Sequence, residues 1–90
     1  MLFALIARDK PGSLETRKAN REAHLAHIAD TGVVDQAGPL LDDAGQMIGS
    51  LVILDVADMA AAQDWAAQDP YARAGLFESV KIIPWKKVVG

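Results

Sequence analysis

Four short apolar runs alternate with two segments whose apolar residues recur at helical spacing. Leu2 to Arg8 is apolar almost throughout and stops at Asp9-Lys10-Pro11-Gly12, so it predicts a buried strand followed by a turn. Ser13 then offers an N-cap, and Leu14, Lys18, Arg21, Leu25 and Ile28 follow helical spacing until Gly32, which predicts one helix of about five turns. Val33 to Pro39 and Met47 to Val56 read as two strands, and Asp42-Asp43-Ala44-Gly45 between them is turn chemistry, so they should pair as a hairpin. Asp58 caps a second helix through Gln68. Asp69-Pro70 forces a corner, because the residue before a proline is driven out of the helical region. A short turn ends at Gly75, and Phe77 to Pro84 supplies the last strand.

The order β-α-β-β-α-β describes an α+β chain with a four-stranded antiparallel sheet. Right-handed crossovers place both helices on one face of that sheet. The other face should then be wet and polar, yet the strands are not. Leu51 and Ile53 point one way while Val52, Leu54 and Val56 point the other, and Leu2-Phe3-Ala4-Leu5-Ile6 is apolar on both sides. An apolar face of this size on a soluble protein predicts a homodimer built through the open side of the sheet.

Composition narrows the function classes. Ninety residues, 51% of them apolar, predict a single domain spanning 1–90. A net charge of −3 provides no basic stripe to neutralise phosphates, which argues against nucleic acid as a partner. The absence of cysteine removes disulfides and thiol nucleophiles. No apolar run approaches the roughly 20 residues of a membrane span, and the first seven residues have strand length rather than the form of a signal peptide. A cytoplasmic protein that does not engage a membrane is the expectation.

Two histidines and one constrained aspartate carry the candidate chemistry. At about 100° per residue, Leu14, Arg21, Leu25 and Ile28 share a narrow arc of the first helix. His24 borders that arc and His27 points toward water. Asp69, held at the Pro70 corner, is the best partner for His24. A carboxylate bonded to one ring nitrogen sets the tautomer and leaves the other nitrogen to act as a base. The competing expectation is a half-buried imidazole bonded to a backbone carbonyl. Arg17, Arg21 and His24 lie four and three residues apart, where side chains meet, and so outline an anion pocket; alternatively, both arginines lay their stems on the core edge and solvate their heads. Ser50 could present a hydroxyl but has no adjacent base to make it a nucleophile, and Gly49 beside it marks a bulge or a close backbone approach. Trp65, Tyr71 and Trp85 should pack, with the tip of Tyr71 reaching the pocket. A metal site is not expected, because His24 and His27 diverge and no third ligand is evident. No cofactor is expected.

Arg17, Arg21 and His24-Leu25, then Gly38-Pro39, Gly49-Ser50, and Ala67-Gln68-Asp69-Pro70-Tyr71 through Ala74-Gly75, resemble the YCII-related family along nearly the whole chain. The resemblance implies a ferredoxin-like fold within the dimeric α/β barrels, a group that includes muconolactone isomerase. It also implies a His-Asp site falling on His24 and Asp69, with Arg17, Arg21 and Ser50 as pocket residues. One relative is a dehydrochlorinase of a chlorinated aromatic. The expected function is thus a lyase or isomerase acting on a small anionic metabolite; the alternative is a noncatalytic small-molecule-binding or accessory module. Fold analogy cannot choose between them.

Overall fold

Each predicted apolar run becomes a strand in the computed structural model, which describes all residues from Met1 to Gly90. The order is β1 (Leu2–Asp9), α1 (Leu14–Ala19), α2 (Arg21–Thr31), β2 (Val34–Leu41), β3 (Met47–Asp55), α3 (Met59–Gln68), α4 (Pro70–Arg73) and β4 (Phe77–Trp85). The strands form one antiparallel sheet in the order β2-β3-β1-β4. Chain order and sheet order together define a ferredoxin-like fold. No helix is long and apolar enough to cross a membrane.

Strand parity sorts the two faces. Phe3, Leu5 and Ala7 of β1 lie opposite Leu54, Val52 and Ser50 of β3, and this face packs against Ala62 and Trp65 of α3 to form the core. Ile28 of α2 and Ile82 of β4 close its margins. The alternate positions, Ala4, Ile6, Leu51, Ile53, Ile83 and Trp85, share the opposite face. Leu51, Ile83 and Trp85 there keep 38 to 40% of their surface exposed. Trp85, expected to pack, is thus only partly covered by the rest of the chain.

The first helix departs from expectation. It is two helices, because Asn20 stands between them with φ −110° and ψ 6°. Its side-chain amide donates to the Thr16 carbonyl at 2.9 Å, a local bond that competes with continuation of the helix. The break therefore separates Leu14, on α1, from Arg21, Leu25 and Ile28, whose arc lies within α2. Only His24 is buried on α2, Leu14 and Ile28 are half-buried, and Leu25 is 49% exposed. Ser13 occupies the N-cap position of α1 without a side-chain bond. Other ends follow the sequence: Asp58 caps α3 by accepting from the Ala61 amide, and Gly32 ends α2 in the left-handed region.

Candidate active site

The Pro70 corner aims a carboxylate. Asp69 has φ −59° and ψ 126°, the extended backbone that a following proline demands, and it ends α3 while capping α4. Its Oδ1 accepts from the Tyr71 amide at 3.0 Å and from Nδ1 of His24 at 2.8 Å. Both side chains are buried. The Tyr71 ring stacks on the imidazole, with centroids 4.0 Å apart and planes 16° from parallel. Ring position, ring plane and tautomer are thus set together. Nε2 of His24 has no protein partner, and no buried polar side-chain atom lacks a hydrogen bond, so Nε2 reaches solvent.

A second buried pair lies beside it. Arg17 donates from Nε to Asp9 Oδ2 at 2.7 Å and from Nη2 to Asp9 Oδ1 at 2.9 Å. The same Nη2 donates to Ser50 Oγ at 2.8 Å, and the guanidinium carbon sits 4.6 Å from the centre of the Tyr71 ring. Arg17 is only 3% exposed, so it does not solvate its head. Burial works against its charge, but the bonds and the charge of Asp9 outweigh that and hold its pKa above the usual value. Burial also pushes the Tyr71 phenol up; Arg17 and Arg21 oppose this, and Asp69 adds to it.

Arg17, Arg21, His24, Ser50 and Tyr71 all open onto one cavity of about 210 Å³, whose apolar wall includes Leu25, Ile28, Pro39, Met47 and Val52. A dry cavity of about 150 Å³ holds benzene, so this volume suits a single substituted ring. Asp69 stands behind His24, out of the lining. Arg21 is exposed and makes no ion pair.

The five expected pocket residues and Asp69 therefore converge, while two readings need correction. His27 does not face water: it is half-buried, its Nε2 bonds the Trp65 carbonyl at 3.2 Å, and its ring lies 4.6 Å from that of Trp65. Asp9 is no mere turn residue. Continuing the parity of Phe3, Leu5 and Ala7 puts it on the helix-facing side of β1, and that parity was the available signal. Gly49 was expected to mark a bulge or a close approach. It is a close approach, for a methyl group there would run into the Ala7 carbonyl of β1.

Comparison with known proteins finds relatives that span nearly the whole chain. The YCII-related domain family matches residues 1–86. Protein YciI of Escherichia coli O6:H1 is 42% identical over 98% of this chain and 99% of its own, and an uncharacterized Haemophilus influenzae protein is 40% identical over the same shares. Among solved structures, 5-chloro-2-hydroxyhydroquinone dehydrochlorinase (TftG) of Burkholderia phenoliruptrix, in complex with 2,5-dihydroxybenzoquinone, superposes with a TM-score of 0.87. It is 33% identical over 96% of this chain and 94% of its own. An antibiotic biosynthesis monooxygenase, with a TM-score of 0.61 at 12% identity, shares the fold alone. On these matches, and on the residues they span, the chain belongs to the YCII-related family.

Proposed function

We propose that the protein is a lyase or isomerase that moves a proton on a small, anionic, oxygenated ring, with His24 as the general base and acid. The observation that carries this reading is the 2.8 Å contact of His24 Nδ1 with Asp69, which leaves Nε2 free toward the cavity. With Nδ1 donating to the carboxylate, the lone pair on Nε2 is the one available to a substrate proton. The imidazolium formed by accepting that proton lies beside a buried negative charge, which stabilises it. Deprotonating a ring hydroxyl pushes electron density onto a ring carbon, and the imidazolium returns the proton to that carbon, which shifts the double bonds to a keto form. Where that now tetrahedral carbon carries a leaving group, loss of a second hydroxyl proton expels it as an anion. TftG, a dehydrochlorinase of a chlorinated hydroquinone with similar sequence and shape, supports the elimination branch. Arg21, exposed and without an ion pair, receives the negative group. An imidazole without a carboxylate in reach would have favoured a noncatalytic module; the carboxylate bonded to His24 supports the catalytic reading instead.

The open sheet face, with Leu51, Ile83 and Trp85 uncovered, supports a homodimer in which two such faces meet.

Turnover of chlorinated and hydroxylated hydroquinones, followed by absorbance and released chloride, tests the chemistry. His24→Ala should fall to background. Asp69→Asn retains an oxygen for the Tyr71 amide and for Nδ1 but loses the charge, so it should fold and turn over about 10²-fold more slowly. Unchanged turnover in both variants refutes the proposal, and a wild-type protein that binds these rings without converting them returns the noncatalytic module.

A further inference from the structure

We infer that Asp9, acting through Arg17, holds the Ser50 hydroxyl as an obligate hydrogen-bond donor into the cavity, so the ligand carries an acceptor oxygen at that point. This deepens the proposed function and rests on its reading that the cavity takes a small oxygenated molecule.

A serine hydroxyl offers one proton and two lone pairs, whereas a guanidinium offers protons only. The 2.8 Å bond from Arg17 Nη2 therefore occupies a lone pair of Ser50 Oγ and cannot accept its proton. No protein group accepts that proton either; the Arg17 contact is the only side-chain hydrogen bond that Ser50 makes. Ser50 is 3% exposed and lines the cavity, so its proton can find an acceptor only there. A buried donor left without an acceptor is costly, and a ligand oxygen relieves that cost.

Arg17 cannot turn away to free the hydroxyl. Its Nε and one Nη2 hydrogen are taken by Asp9, the other Nη2 hydrogen by Ser50, and its guanidinium carbon lies over the Tyr71 ring. Contact with a cation also polarises the hydroxyl and strengthens it as a donor. No base touches Ser50, so the same geometry leaves it without a nucleophile's activation. The two arginines divide their work. The charge of Arg17 is matched by Asp9 and serves orientation, while the unpaired charge of Arg21 holds the anion. Asp9 and Arg17 are positioning residues, and Ser50 is the one that touches the ligand.

The test is a binding cycle read by titration calorimetry, using 2,5-dihydroxybenzoquinone and a set of hydroxybenzoates as probes. Ser50→Ala should weaken binding about ten-fold, the scale of one hydrogen bond to a charged or polarised partner. Asp9→Asn should weaken it to a similar extent with Ser50 present and less than about two-fold in the Ser50→Ala background, as expected of residues acting through one another. Arg17→Lys keeps the charge but loses the fork, so it should repeat that pattern, and it replaces Asp9→Asn in the cycle if the latter does not fold. Equal losses in both backgrounds assign Asp9 a purely structural role and overturn the inference. Wild-type affinity in Ser50→Ala overturns it too, while leaving the cavity reading intact. Folded wild-type protein that binds none of the probes overturns both together.

Discussion

Removing the charge of Asp9 should destabilise the fold more than any exposed-charge substitution on this chain. The side chains of Asp9 and Arg17 are only 5% and 3% exposed, and two hydrogen bonds of 2.7 and 2.9 Å join them. Asp9→Asn keeps the shape but leaves a guanidinium with no counter-charge, and turns an amide NH₂ toward one of its N–H groups. Breaking a buried pair by losing one partner costs about 3–5 kcal/mol, because the remaining charge is neither hydrated nor paired. A domain of this size has roughly 5–10 kcal/mol in total. At about 4–8 °C per kcal/mol, the melting temperature should fall by at least about 12 °C. Urea unfolding followed through the buried Trp65 measures this directly, and an unchanged slope would show that the compactness of the end states is preserved. Asp9→Leu combined with Arg17→Met should cost far less than either change alone, since no orphan charge is left. A loss below about 1 kcal/mol for Asp9→Asn, the range of solvent-exposed pairs, would refute the reasoning and loosen the support proposed for Ser50.

Tyr71 is the only tyrosine, so its phenolate absorbance near 295 nm titrates one residue, and in the native state it should ionise above its ordinary value of 10.0. The native state then holds a proton that the unfolded state loses, so this contribution is present below pH 10.0 and disappears as pH rises through the native pKa. A phenol that titrates at or below 10.0 in folded protein contradicts the burial argument. Gly49→Ala places a methyl against the backbone of β1, where no side chain can yield, and should cost about 1–3 kcal/mol in a urea melt; a neutral outcome means that β1 and β3 can move apart. Ile83→Lys puts a charge on the open sheet face, on its edge strand β4, and should give a monomer by sedimentation, with the fold intact by circular dichroism. An unaltered sedimentation coefficient, whether that of monomer or dimer, rejects this face as the interface.

Local pattern was enough to read every strand, the α3 cap at Asp58, the stop at Gly32 and the corner at Asp69-Pro70, because each depends on neighbours in the chain. It was also enough to place the His24 and Asp69 side chains on elements that could meet. The break at Asn20 was not legible, since an asparagine inside a helical pattern can either continue the helix or bond nearby backbone, and the pattern does not choose between the two. That break detached Leu14 from the arc of Arg21, Leu25 and Ile28, and His24 is the one buried side chain of α2. The sheet register likewise decided that Asp9 and Ser50 both reach Arg17, and packing against Trp65 turned His27 inward. Sequence by itself therefore determined the order of elements and the chemical types available. Only the tertiary structure decided which groups lie within 3 Å of one another, for His24 and Asp69 are 45 residues apart and Arg17 and Ser50 are 33 apart. Periodicity reports which face of its own element a residue occupies. Contact between elements depends on register, helix breaks and the packing that joins them.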